Sequence, residues 1–500
     1  MKEKFFFLLI SSIISNMISI IASYILILNL EIVILGYWVF LNTIINLGFL
    51  FIDLGFETIH YQYSGKKDFS KYFGTFLMIK AMIIVLNVTI TLILIIILDL
   101  WAHLNYLLIL TFGKVFYEIA KIFLVNLESK IKVFKGFLPR FIIELLRSIL
   151  IIFFSLNISQ FSNPILYLCL LNFVVGIVFI IFILLVSKSD LIIMKPRKNL
   201  ALNYLKDVKP IVIMALFLVI ATYLGNLILA YSFGYEELGY FSIINTYILP
   251  QLLFISGCII PLYLTLFSKY FEKEDLNSVK KLTHIIEKYT SIIVLSIIIT
   301  VFLNSELIFS IFLPKYTKSI FILYIMVSIP YLIGLSRPYT YQMIAGKNLK
   351  TIVKINLFTY ISIIFLMIVL IPKNFLGFQT LGLGSMGYAL AQTIPWILSA
   401  ILIRFYTKKY YNIEFQKRIL FHIPLAVLSL LIGLFLKNWL FKLFFENLVF
   451  LLISSSLIAI AIFLLLLIII NELNRKDLKV FLQMLRVKIY IESLKEEFKI

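Results

Sequence analysis

Leu35-Gly36-Tyr37-Trp38-Val39-Phe40-Leu41-Asn42-Thr43 opens one apolar stretch of this 500-residue chain. Leu238-Gly239-Tyr240-Phe241-Ser242-Ile243-Ile244-Asn245-Thr246 opens another, 203 positions later. Leu, Gly, Tyr, Asn and Thr recur in register. Just upstream the polar positions correspond too, Ser19 with Thr222 and Ser23 with Asn226. In a chain rich in Ile and Leu, matches that include Gly, Tyr, Asn and Thr point to an internal repeat. Six apolar stretches separate the two copies, an even number, so both halves enter a membrane in the same direction. That is a parallel repeat, with its axis along the membrane normal.

Outward from these copies the chain reads as fourteen long apolar segments. Its composition is 62% hydrophobic and 14% charged, against about 25% charged for an ordinary soluble domain. A span needs roughly 20 apolar residues, and such runs recur from end to end. The second is expected near Gly36–Phe56, the fourth near Leu104–Asn126, the fifth near Phe137–Asn157, and the tenth near Ser319–Met343. The fold class is therefore all-α, a polytopic membrane protein with 14 transmembrane helices. Two six-helix lobes are related by a pseudo-twofold along the membrane normal, and two C-terminal helices follow. The expected division is 1–187 for the first lobe (spans one to six), 188–209 for a basic cytoplasmic linker, and 210–406 for the second lobe (spans seven to twelve). Residues 407–470 hold spans thirteen and fourteen, and 471–500 form an amphipathic tail with Leu478, Phe481, Leu482, Leu485 and Ile489 at helical spacing.

Charge fixes the expected orientation. The net charge of +20 does not mark a nucleic-acid binder, because the cations fall on alternate connections, and cationic loops stay cytoplasmic. With the N-terminus inside, 33 of the 45 Lys and Arg residues lie on inner segments, such as Lys66-Lys67-Asp68, Lys195-Pro196-Arg197-Lys198 and Lys280-Lys281. Five (Lys315, Lys318, Lys373, Lys437, Lys442) lie on outer connections and seven within spans. Both termini are expected in the cytoplasm of a bacterial cell, with the chain in its inner membrane. After Met1-Lys2-Glu3-Lys4 no small-residue cleavage site follows, so the first apolar run is expected to be retained. Cys169 and Cys258 sit inside spans, the four histidines have no metal-ligand spacing, and no Gly-rich phosphate loop is present. No cofactor, metal or nucleotide-driven chemistry is expected.

The ionisable groups in spans are the remaining signal, since each costs about 2.5–3.5 kcal/mol at a helix centre. Span four carries Lys114, Glu118 and Lys121; span five carries Arg140, Glu144 and Arg147. Each set is spaced i, i+4, i+7, so each shares one helix face. Folding the two antiparallel spans about their short loop sets Lys121 level with Arg140, Glu118 with Glu144, and Lys114 with Arg147. The stripes either neutralise each other or line a wet cavity whose surplus cations attract an anion. Four cations against two carboxylates favour the cavity, because an unpaired buried charge is costly, and Arg and Lys both suit phosphate. Arg337 in span ten either faces the cavity or snorkels beside a Pro338 kink, Glu118 and Glu144 are candidate protonation sites, and Ser12, Asn16, Ser19 and Ser23 form a polar stripe on span one that suits helix packing or the cavity. Lys80, Asp53 and Arg404 are expected to snorkel to the surface.

With fourteen spans in a six-plus-six-plus-two plan, the basic balance, the Leu35-Gly36-Tyr37 opening and the Ala345-Gly346-Lys347 turn, the chain resembles the polysaccharide flippases that move O-antigen or capsule repeat units. These belong to the multidrug/oligosaccharidyl-lipid/polysaccharide flippase superfamily. The resemblance implies a non-enzymatic transporter with a cationic cavity between two lobes. It implies a polyprenyl-pyrophosphate-linked oligosaccharide as substrate, turned from the inner to the outer leaflet. The implied partners are that lipid-linked glycan, membrane lipids, a coupling H+ or Na+, and glycan polymerase or assembly proteins. A drug/cation antiporter of the same superfamily would carry an acid in its first span, and Phe5 to Leu28 has none. A lipid II flippase would carry an N-terminal Gly-Phe-x-Arg-Asp-type stretch, which is missing here.

Overall fold

The computed structural model describes residues 2–52, 54–64, 70–129, 133–188, 194–257, 260–443 and 447–473. Asp53, the Lys66-Lys67-Asp68 loop, Cys258 and residues 474–500 of the tail, together with the side chain of Ser12, lie outside the described residues. Helix dominates because a backbone in lipid must satisfy its own N–H and C=O groups. Nine described helices are long and apolar enough to cross a membrane, and shorter apolar stretches include Ile14–Asn29 and Ile32–Gly48. The protein is a multi-pass, all-α membrane protein. Its lipid-facing side chains are apolar and exposed, as at Met82, Val85, Ile97, Leu185, Phe365 and Phe435.

The chain forms two units. The first comprises 1–242 with 371–380. It contains α1 (Lys2–Asn29), α2 (Ile32–Gly48), α3 (Phe56–Ser64), α4 (Ser70–Ile97), α5 (Leu104–Ser129), α6 (Val133–Leu156), α7 (Pro164–Ser187) and α8 (Lys198–Ser242). Local signals set several ends. Asn163 caps α7 by accepting from Leu166 N at 3.1 Å, ahead of Pro164 at the first helical position, where its missing N–H costs nothing. α8 breaks at Gly234, whose φ of 87° and ψ of 178° suit a residue without a Cβ.

The two copies of the repeat meet inside this unit. A Cβ on Gly36 of α2 would lie 1.8 Å from Tyr235 O and 2.9 Å from Gly239 N. A Cβ on Gly239 of α8 would lie 2.4 Å from Ile32 O. Ile32 and Tyr235 are themselves 203 positions apart, as are Gly36 and Gly239, so each segment presents the same patch to the other. Such self-complementarity is the mark of a twofold contact. Asn226 extends it, its Nδ2 donating to Thr43 Oγ1 at 2.9 Å.

The segment read as a linker touches α4 from Met194 onward. A Cβ on Gly74 would meet Met194 O at 1.8 Å, and Arg197 N donates to Thr75 Oγ1 at 3.1 Å. The fully buried Tyr204 pairs its hydroxyl with His60 Nδ1 at 2.8 Å, and Tyr63 donates to Asp207 Oδ2. Span two, expected to Phe56, ends as a helix at Gly48, and a separate short α3 follows. α3 is what corrects Lys80. Its side chain is 2% exposed and does not snorkel, because Glu57 of α3 receives it at 2.8 Å and Ile52 O accepts from it at 2.8 Å.

The second unit comprises 243–370 with 381–500. A π-helical segment (Ile243–Ile248) leads into α9 (Leu249–Gly257), α10 (Ile260–Glu272), α11 (Leu276–Phe312), α12 (Ile320–Met326), α13 (Ser328–Ala345) and α14 (Leu349–Leu370). α15 (Gly384–Tyr411), α16 (Ile419–Leu443) and α17 (Leu448–Ile469) complete it. A two-residue hairpin, Asn374–Phe375 against Phe378–Gln379, belongs to the first unit. The two appended helices, α16 and α17, pack against α11 through Leu295, Ile299, Leu303, Ala426, Ala459 and Phe463. Asn304 of α11 also donates to Ser456 Oγ at 2.9 Å and accepts from Ser455 at 3.0 Å.

Arg404 is likewise not a snorkelling residue. It pairs at 3.4 Å with Glu287 of α11, which is fully buried, and donates to Leu335 O at 3.2 Å. The rings of Tyr339 and Phe415 lie 5.1 and 5.2 Å from its guanidinium carbon. A planar cation that can stack and bond at once is suited to such a site.

Candidate functional site

Of the charged stripes, one part converges. α5, α6, α7 and α2 enclose a cavity of about 290 Å³ in the first unit. Lys114 and Arg147 line it with the carboxylate of Glu144, the phenol of Tyr117, and the amides of Asn42, Asn46 and Asn172. α5 and α7 can approach because both present glycine at the crossing: a Cβ on Gly176 would meet Gly113 O at 2.6 Å. Arg147 Nε is buried without a hydrogen-bond partner. A buried guanidinium N–H beside a polar cavity calls for a water or ligand partner.

The remaining members of the stripes go elsewhere. Glu118 is buried and pairs along its own helix with Lys114 at 3.3 Å. Lys121 pairs at 3.1 Å with Glu57, so one carboxylate on α3 holds two cations, Lys80 and Lys121. Arg140 is exposed, one turn beyond Glu144. Ser19 lies against α6, its Oγ 3.4 Å from Ser148 Oγ, and Asn16 and Ser23 are half-buried on the same helix. Arg337 lines a separate cavity within the second unit.

The expected surplus of two cations thus becomes two cations against one carboxylate on the lining, with Glu118 just behind Lys114. Reading charges alone overlooked the amides. Asn42 and Asn46 share a face of α2 at i, i+4, a signal present in the sequence. Asn42 and Asn172 donate to Trp38 O and Leu168 O, each at 2.8 Å, which leaves their carbonyl oxygens as acceptors. Glu57 was overlooked because it sits beyond the end of span two, where an acid carries no special meaning. Lys114 lies 5.9 Å from the centre of the Tyr117 ring. The cavity therefore offers cationic donors, neutral acceptors and an aromatic wall.

No family model and no curated protein matches this sequence. Solved structures do. A lipid II flippase, MurJ, in an inward closed conformation is similar over 93% of this chain and 99% of its own, with a TM-score of 0.70 and 16% identity. The fold is shared with MurJ. An inward-facing multidrug resistance MATE family transporter of the MOP superfamily is similar over 79% of this chain and 94% of its own, with a TM-score of 0.61 and 12% identity. A MOP superfamily transporter from Pyrococcus furiosus, described for the reverse polarity of its binding pocket, is similar over 82% and 95%, with a TM-score of 0.55 and 13% identity. The all-α, 14-helix fold expected from the apolar runs is the fold this protein shares with MurJ. At these identities the likeness speaks for fold alone.

Proposed function

We propose that the protein is a flippase that moves a polyprenyl-pyrophosphate-linked oligosaccharide from the inner to the outer leaflet of a bacterial cytoplasmic membrane, with both termini in the cytoplasm. The observation that carries this is the half-buried Arg147, its Nε buried without a hydrogen-bond partner, beside Lys114 in a cavity walled by apolar helices. Arg presents a planar fork that matches phosphate oxygens two at a time, and Lys adds a point charge. The lining amides and Tyr117 offer neutral polar contacts of the kind that sugar hydroxyls require. The prenyl tail remains in lipid, where it needs no polar partner.

In this reading the diphosphate neutralises Lys114 and Arg147, and that neutralisation favours one conformation over another. A ligand shifts such an equilibrium only by the difference in its affinity for the two states. Glu144, on the same lining, is the carboxylate proposed for ion coupling. Glu118, already paired with Lys114, is the less available of the two. Arg140 and Lys121, which lie off the cavity, are proposed to draw the anionic headgroup in rather than hold it.

Deletion of the gene followed by extraction of polyprenyl-linked glycans is the direct test. Arg147→Gln and Lys114→Gln, at wild-type expression, are expected to accumulate the lipid-linked glycan on the inner face and lower surface glycan at least ten-fold. Normal export by the double variant overturns the anchor. A second reading is favoured by the shared fold: a lipid II flippase, for which accumulation of lipid II itself on deletion is the distinguishing result. Unchanged glycan with lost resistance to a cationic compound points instead to a multidrug antiporter.

A further inference from the structure

We propose that the second unit holds its own binding site, centred on Arg337, for one carboxylate-bearing sugar of the uronic acid class; this rests on the glycan-flipping reading above. The site is a cavity of about 190 Å³ between α13, α14 and α15. That is below the usual 300–1,000 Å³ of small-molecule pockets, so it suits a single sugar unit rather than a chain.

Its walls repeat those of the first cavity. On α5 the lining positions are Leu110, Gly113, Lys114 and Tyr117; on α13 they are Ile333, Ser336, Arg337 and Thr340, each 223 positions later. Asn172 and Val175 of α7 correspond to Trp396 and Ser399 of α15, each 224 later, and Ile143 and Arg147 of α6 to Ile352 and Asn356 of α14, each 209 later. Any helix face shows i, i+3, i+4, i+7 spacing. That spacing does not dictate that the same three consecutive spans form the cavity, nor that a cation takes the same position in both.

The differences between the cavities identify the ligand. Where the first has Arg147 the second has Asn356, and no lining residue of the second is acidic. One guanidinium with no competing carboxylate on the lining matches one carboxylate, bound through the planar fork; a diphosphate calls for more. Where the first has Asn172 the second has Trp396, and Tyr360 adds a second ring. Such rings offer flat apolar faces to the C–H side of a pyranose. Ser336 and Thr340 donate to Leu332 O at 2.7 Å and Ser336 O at 3.1 Å. Their own oxygens remain as acceptors, which sugar hydroxyls can use as donors.

The test uses the full-length protein in detergent micelles, with D-glucuronate as the probe and D-glucose and inorganic phosphate as comparators. Saturable calorimetric binding of glucuronate is expected, with a Trp396-dependent change in fluorescence. Glucose is expected to bind at least ten-fold more weakly. Arg337→Gln should weaken glucuronate about ten-fold, Arg337→Lys less, and Trp396→Phe should abolish the optical signal while calorimetry still reports weaker binding. Equal binding of glucose, phosphate binding that Arg337→Gln weakens more than it weakens glucuronate binding, or an unaltered affinity in a folded Arg337→Gln variant overturns the proposal. Lys114→Gln is expected to leave glucuronate binding unchanged. Export defects in that variant therefore test the anchor reading separately, and either proposal can fail while the other stands.

Discussion

Among the described residues, Glu57 is a carboxylate that joins two lysines. It pairs with Lys80 at 2.8 Å and with Lys121 at 3.1 Å, and Lys80 is 2% exposed. Removing the shared partner of a buried ion pair leaves charge uncompensated and costs about 3–5 kcal/mol. Lys80→Met leaves Glu57 its second cation and forfeits mainly charge-assisted hydrogen bonds, worth about 1.5–3 kcal/mol. Glu57→Gln is therefore expected to lower the melting temperature in detergent more than Lys80→Met does. The reverse order would show that Lys80, not Glu57, anchors this end of the unit. The periodicity of α5 and α6 made their charges legible in the sequence, but not which partner each would choose. Lys121 chose an acid 64 positions upstream on a helix that no apolar run announces.

At the scale of the element, glycine decides where helices can touch. Gly36 and Gly239 let α2 and α8 approach until backbone meets backbone. Gly36→Ala puts a methyl 1.8 Å from Tyr235 O, a carbonyl that no rotamer change can move. Small residues at such crossings are what permit close packing in lipid, so this variant is expected to lose most of its monodisperse, folded fraction in size-exclusion chromatography. Gly433→Ala is the contrast: its added methyl meets Ala459 Cβ at 3.2 Å and side-chain atoms of Leu303 beyond that, so a small adjustment suffices. Normal folding of Gly36→Ala would mean the α2–α8 contact is dispensable. The repeat announced Gly36 and Gly239 as equivalent; that they touch is a fact of packing.

At the scale of the molecule, charge orders the chain outside the membrane. Leu376, at the tip of the hairpin between α14 and α15, is 85% exposed and falls on an outer connection in the orientation that the cations imply. On a background lacking both native cysteines, Leu376→Cys is expected to react with a membrane-impermeant maleimide in intact cells, and Lys280→Cys only after permeabilisation. The opposite pattern inverts the topology. Acid stability follows from Asp275, the cap of α11, which accepts from Ser278 N at 3.0 Å and from its hydroxyl. These bonds, aided by Lys281, hold its pKa below the ordinary 3.8. A depressed folded value contributes stability that is complete above the unfolded value and disappears as pH falls through the folded one. The difference in melting temperature between wild type and Asp275→Ala is thus expected to hold at neutral pH and to shrink below about pH 4. Glu414, held low by Lys408 at 2.9 Å, adds to the same acid loss.

The part of this structure that can be read from residue order alone is what lipid imposes on any chain. Long apolar runs must be helices, and two matching motifs separated by an even number of runs must enter the membrane in the same direction. Those constraints act residue by residue along the chain, so composition, period and charge position suffice to read them. Only the tertiary structure decided which charges share a cavity. It brought Lys114, Glu144 and Arg147 to one lining with three amides, sent Lys121 to Glu57, gave Arg404 to Glu287, and placed Arg337 in a chamber of its own. The physical reason is that an ion pair in a membrane protein is settled by which helices pack and how closely. That depends on glycines, short interposed helices and crossings between residues far apart in the chain, none of which a helix's own periodicity contains.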